Sequence, residues 1–133
     1  MRDALFRAIS RYSDFQRSLG VAPNILADRL DGFVSSGLME RRTAEGHPGT
    51  QDYCLTEKGR DLAPVIVALT QWGDRWAAPD GPPIIFGHCG CTGMVEQTVR
   101  CVACGATVDS ADLETRAGPG SHHRGPSGTQ RRP

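Results

Sequence analysis

"GVAPNILADRL", residues 20–30, is the stretch on which the fold turns. Gly20 can take the left-handed conformation that ends a helix. "VAP" then turns the chain, and Pro23 stands at a first helical position, where its missing N–H costs nothing. From about Asn24 to Ser36 the residues follow a helical period. Leu26, Ala27, Leu30, Phe33 and Val34 share one face, Asn24, Asp28, Asp31 and Ser35 face away, and Arg29 lies on the flank. Gly37 supplies the stop.

Upstream, Ser13 reads as an N-cap before "DFQRSLG", and Phe15 and Leu19, four apart, share a face of that short helix. "RDALFRAI" reads as the end of an earlier helix with Leu5, Phe6 and Ile9 on one side. Two helices joined by a tight glycine-containing turn form a helix-turn-helix. Downstream, "LMERRTA" and "QDYCLT" are strand-like and "EGHPG" between them is turn chemistry. A hairpin directly after a helix-turn-helix gives the winged-helix arrangement. "TEKGRDLAPVIVALTQWGDRW" opens with Thr56 as a cap and carries Leu62, Val65, Ile66, Leu69, Trp72 and Trp76 at helical spacing. Pro64 predicts a kink in it.

Composition bounds these readings. The chain has 133 residues, enough for one domain and an appendage. It carries 15 basic and 15 acidic residues, so net charge does not announce a nucleic-acid binder. Residues 1–60 hold nine Arg or Lys against eight Asp or Glu, so the distribution of charge must do what its total does not. No apolar run approaches the roughly 20 residues that span a bilayer, and no signal peptide is visible. The expected location is the cytoplasm, where five cysteines read as thiols or metal ligands rather than disulfides. "PDGPP", residues 79–83, breaks the chain after the helical part. We find no internal repeat. The fold class expected is α+β: a winged helix-turn-helix over residues 1–78, a small Cys-rich β module over 84–113, and a disordered tail over 114–133. From Arg116 onward the tail has no aliphatic side chain larger than alanine.

"SDFQRSLGVAPNILADRL", "SGLMERR", "YCLTEKGRDLAPVIVAL" and "QWGDRW", in order, resemble the HxlR family of bacterial winged-helix transcription regulators. The resemblance covers roughly residues 1–76 and implies a homodimer that binds operator DNA and answers to an effector. It also implies a further leading helix, with a cysteine and a Gly-x-Trp segment, ahead of the part that starts here at Met1. In-frame codons upstream of Met1 would reveal that helix. In the wing, Thr50 stands where the family carries an arginine, which weakens phosphate contact.

In a helix-turn-helix the N-terminal half of the second helix enters the major groove. Here that half presents Pro23, Asn24, Ile25, Asp28 and Arg29. Asn24 suits adenine, Arg29 guanine, Ile25 a thymine methyl and Asp28 the amino group of cytosine. Arg17, Arg29, Arg41 and Arg42 form the candidate positive rim. The competing reading is a solvated helix face on which Asp28 and Arg29 neutralise each other, with Arg41 and Arg42 alternating across an edge strand. The stripe of Val65, Leu69, Trp72 and Trp76 packs on its own domain or on a dimer partner, or lines an effector cavity. Cys54 reads as a small buried hydrophobe.

"HCGCTGMVEQTVRCVACGA" holds the second signal. His88-x-x-Cys91 and Cys101-x-x-Cys104-Gly105 are two short turns that can place four ligands around a structural Zn²⁺, with Cys89 as a substitute for His88. "MVEQTVR" between them suits a hairpin leg. The competing reading is a set of idle reduced thiols. No carboxylate motif accompanies the cluster, so a catalytic zinc is not expected. Function therefore reads as a dimeric DNA-binding regulator and not an enzyme. The alternative is a protein-interaction module of the same family that no longer binds DNA. A thiol redox enzyme built on Cys101 and Cys104 lacks the βαβ context it would need.

Overall fold

The computed structural model describes residues 1–47 and 49–121. Among these the chain forms α1 (Arg2–Phe6), α2 (Tyr12–Leu19), α3 (Pro23–Ser35), β1 (Met39–Thr43), β2 (Gln51–Leu55), α4 (Glu57–Arg60), α5 (Ala63–Ala77) and a 3₁₀ turn at Ser110–Asp112. The order is that of a winged helix-turn-helix, with the strands paired antiparallel, Met39 opposite Leu55 and Thr43 opposite Gln51. Arg11 adds a single bridge to Asp52 on the free edge of β2, and the Tyr53 N–H donates to Ser10 O at 2.8 Å.

The helix-turn-helix forms where the sequence places it. Gly20 caps α2 at φ 61°, and Pro23 opens α3. The core of this unit is Ala4, Phe15, Leu26, Leu30 and Met39, with Tyr12, Val21, Phe33, Val34, Tyr53 and Leu55 packed around it. Leu26 and Leu30, one turn apart, are the buried pair of α3, and Asn24, Asp28, Asp31 and Ser35 are exposed. The end of α3 is tied to the start of α4 by three consecutive carbonyls. Ser36 O accepts from Lys58 Nζ at 2.7 Å, Gly37 O from Thr56 Oγ1 at 2.7 Å, and Leu38 O from the Thr56 N–H at 3.1 Å. Thr56 also caps α4, its hydroxyl accepting from the Gly59 N–H at 3.1 Å.

Several local expectations need correction. The first helix stops at Phe6 instead of running on to Ile9, because Ala8 turns left-handed at φ 52°. Ser13 is not a cap: α2 starts one residue before it, at Tyr12, and Arg11 holds the cap position without a side-chain bond. Phe15 is buried, but Leu19 is 42 % exposed. Pro64 produces a break, not a kink. The chain turns at Asp61–Leu62 and Pro64 falls within the first turn of a new helix, where a proline needs no N–H partner.

The compact units are residues 1–97 and 98–133, so the division falls inside the segment expected to be one module over 84–113. The reason is that residues 84–97 belong to the helical unit. The Phe86 ring meets Phe6 with centroids 4.7 Å apart. Gln71 of α5 donates to Val95 O at 2.6 Å and accepts from the Gln97 N–H at 3.0 Å. Of the tail, residues 114–121 form neither helix nor strand, and residues 122–133 lie outside the described residues.

Two predictions follow from this packing. A Cβ at Gly59 would stand 2.1 Å from the backbone oxygen of Leu38, whereas one at Gly32 meets nothing within 4 Å. Urea unfolding should therefore show Gly59→Ala losing about 1–3 kcal/mol and Gly32→Ala gaining about 0.5–1 kcal/mol. Asp3 is buried at 2 % exposure beside Arg2, Arg7 and the Ser18 hydroxyl. Burial pushes its pKa up, but the hydrogen bonds of Ser18 and Arg2 and the charges of Arg2 and Arg7 outweigh burial and hold it below 3.8. A carboxylate whose folded pKa is depressed stabilises fully above its unfolded value and is lost as pH falls through the folded one. Stability measured from pH 7 downward should drop below about pH 4 less steeply in Asp3→Asn than in the parent; parallel curves would remove Asp3 from the acid response.

Candidate nucleic-acid interface

The N-terminal half of α3 is held from beneath. Tyr12 Oη donates to Pro23 O at 2.7 Å, pinning the first turn of α3 to the first turn of α2. With Leu26 and Leu30 buried, Pro23, Asn24, Ile25, Asp28 and Arg29 are left exposed, Ile25 at 41 %. Among the described residues Arg29 forms no ion pair. Adjacent residues on a helix do not face each other, so Asp28 is poorly placed to neutralise it.

The other three arginines of the expected rim are engaged by acids. Arg17 pairs with Asp14 at 3.3 Å, one turn away on α2. Arg42 Nε donates to Glu40 at 2.8 Å, along the same face of β1. Arg41, on the opposite face, reaches back to Asp31 of α3 and lies over the Tyr53 ring at 5.7 Å from its centroid. Tyr53 and then Asp31 raise the Arg41 pKa further above the ordinary guanidinium value. All three guanidiniums stay exposed, so these pairs are screened and exchangeable, not fixed by burial. The wing tip carries His47, whose Nδ1 lies 3.1 Å from Glu45 O, and the exposed Thr50.

Sequence reasoning missed the residues that orient α3. Tyr12 and Lys58 contribute hydrogen bonds to backbone oxygens at the two ends of α3, and neither belongs to the apolar periodicity. The signal for Lys58 was its place two residues after a capping threonine and directly before Gly59. Cys54 is half-buried in β2.

The Cys-rich segment forms two turns, one in each unit. His88 Nδ1 stands 3.2 Å from Cys91 Sγ in the helical unit. Cys101 and Cys104 close a separate turn in the second unit. Backbone N–H groups of Cys104 and Ala103, with the Cys104 thiol, lower the Cys101 pKa from the ordinary thiol value. Among the described residues no group of three or more His, Cys, Asp or Glu side chains converges to hold a metal. His122 and His123 lie outside the described residues. No helix among the described residues is long and apolar enough to cross a membrane.

Comparison with known proteins agrees with this geometry. Residues 3–81 match the family model described as HxlR-like helix-turn-helix. The chain is 36 % identical over 121 residues to the HTH-type transcriptional regulator Rv3095 of Mycobacterium tuberculosis, itself uncharacterised, covering 90 % of this chain and 76 % of that one. Among solved structures it is similar to PA1607, at a TM-score of 0.79 and 37 % identity over 88 % of this chain and 82 % of that one. It is also similar to PA1374 of Pseudomonas aeruginosa, at a TM-score of 0.73 and 34 % identity over 92 % of this chain and 83 % of that one. Both are described as candidate transcription factors.

Proposed function

The chain belongs to the HxlR-like helix-turn-helix family of DNA-binding transcriptional regulators, and we propose that it works in the cytoplasm as a homodimer whose two α3 helices enter the major groove of one operator. The role is regulatory, not catalytic. The observation that carries this reading is the exposed N-terminal half of α3, where Arg29 has no ion-pair partner among the described residues while the rim around it is neutralised in place. Arg29 then reads guanine, Asn24 adenine, Ile25 a thymine methyl and Asp28 a cytosine amino group, with Pro23 setting the entry of the helix. Arg17, Arg41 and Arg42 take phosphates by exchanging a carboxylate partner for a phosphate oxygen.

The dimer is proposed from α5. Val65, Leu69, Trp72 and Trp76 lie along one face of that helix and are 55 %, 63 %, 63 % and 68 % exposed. Two tryptophans and two aliphatic residues left in water in a row are what an interface between copies would cover. Two-fold symmetry then presents two α3 helices to the two half-sites of a palindromic operator.

Two measurements test this reading. Sedimentation at micromolar concentration should show a dimer, and Trp72→Glu should shift it to monomer with its circular dichroism unchanged; a parent that sediments as a monomer overturns the dimer. Against an operator selected from random DNA, Arg29→Ala should lose about 1–3 kcal/mol and relax preference at one base position. Arg41→Ala and Arg42→Ala should weaken binding to all sequences and reduce the salt slope by about one each. Unchanged operator affinity in a folded Arg29→Ala removes that residue from the interface.

A further inference from the structure

A cavity of about 480 Å³ opens between the linker that follows α1 and the side of α2, lined by Arg7, Ala8, Ile9, Asp14, Arg17 and Ser18. Sites for small molecules have volumes of about 300–1,000 Å³. Two guanidiniums line this one from separate elements. Arg7 Nη1 donates to Ser18 Oγ at 2.6 Å and stands 3.7 Å from Asp3. The Ser18 hydroxyl donates in turn to the buried Asp3 carboxylate, so a fixed acid beneath the cavity orients Arg7. Arg17 Nη1 donates to Asp14 Oδ1 at 3.3 Å. Both arginines are exposed, and a guanidinium has five N–H donors, more than these bonds use. Ile9 supplies an apolar wall that also packs on the core. Beside it Ala8 stands at φ 52°, in the left-handed region that residues other than glycine rarely adopt.

The linker that walls the cavity also holds the wing. Ser10 O, next in the chain to Ile9, accepts from the Tyr53 N–H of β2 at 2.8 Å. Arg11 bridges to Asp52 of β2, and its Nε stands 3.8 Å from Asp52 Oδ1. That oxygen is buried and has no hydrogen-bond partner among the described residues. Tyr12 then ties the start of α2 to Pro23 O of α3. Residues 9–12 therefore run from the cavity wall to the wing and to α3 without a break. A left-handed alanine stands at one end of this linker and an unmade hydrogen bond at the other. Backbone strain of this kind collects at ligand clamps and switch regions.

We propose that this cavity binds a small organic acid, its carboxylate held by Arg7 and Arg17 and its apolar body against Ile9. Guanidinium forks match a carboxylate in the plane and bind it through paired charge-assisted hydrogen bonds. The lining carries two guanidiniums against the single carboxylate of Asp14, so it favours an anion over a neutral ligand or a cation. On binding, the acid takes the place of Asp14 on Arg17, while Arg7 keeps its bond to Ser18. A body seated against Ala8 and Ile9 bears on the linker, and Ser10 and Arg11 carry the change to β2.

The test is a titration of the isotope-labelled full chain with benzoate, read by its amide resonances. The amides of Ala8, Ile9 and Ser18 should shift and saturate, and that of Tyr53 should move with them. Benzamide, of the same shape without the charge, should leave all four in place. Arg17→Gln should weaken benzoate about tenfold. Asp14→Asn, which removes the competing carboxylate, should strengthen it about two- to fivefold. Circular dichroism should stay unchanged in both. No saturable shift at the cavity with millimolar benzoate overturns the site, and equal shifts with benzamide overturn the acid. Benzoate that moves Ala8 and Ile9 but not Tyr53 overturns the link to the wing. The titration contains no DNA, so its outcome is independent of the operator-binding reading.

Discussion

The carbonyls of Ser36, Gly37 and Leu38 are the constraint on which the winged helix depends. They leave the end of α3 pointing into a junction where helix, strand and the next helix meet, and none has an intrahelical donor to spare. The segment from Thr56 to Lys58 satisfies all three, with one backbone N–H, one hydroxyl and one ammonium. That arrangement brings Gly59 so close to Leu38 that no side chain fits between them. The last turn of α3, the first residue of the wing and the start of α4 are thereby set relative to one another. Helix α3 is carried by backbone bonds at its end and by Leu26 and Leu30 beneath it, which leaves Asn24, Ile25, Asp28 and Arg29 exposed on its N-terminal half.

What the sequence made legible were features written in neighbouring residues. Gly20 before Pro23, Gly37 after the apolar period, and Thr56 three residues before Gly59 each specify a helix end by local chemistry. The alternation around "EGHPG" specified the hairpin. Misjudged were the places where local signals competed. Ser13 is a good cap by residue type, but the chain enters the helix from Arg11, whose backbone also bridges to Asp52. Pro64 was read as an interior residue of one helix, yet a proline is as well placed at the first turn of a second, and only the turn at Asp61–Leu62 distinguishes the two. Charge pairing was not legible at all across distance. Arg41 and Asp31 lie ten residues apart on different elements, and no periodicity joins them.

The paired turns of the Cys-rich segment were hidden for another reason. Their likeness is in the backbone, not in the letters: histidine matches cysteine, threonine matches glycine, and glycine matches arginine. Hydrogen bonds between main-chain groups constrain side chains weakly on an exposed hairpin, so two copies of one turn share little more than their first and fourth positions. Sequence spacing was enough to suggest four donors.

The contact of Arg41 with Asp31 bears on how such a regulator finds its site. Asp31 belongs to the recognition helix itself, and its carboxylate occupies the guanidinium much as a phosphate oxygen would. An arginine already paired must give up that partner before it meets a DNA backbone, so part of the sequence-independent attraction is cancelled in advance. The cost is the same at every site on a genome, whereas the gain from base contacts is collected only at the right one. A chain with no net charge and an internal surrogate for phosphate therefore lingers less on wrong DNA. It gives up overall grip and leaves the contrast between operator and background to the base contacts.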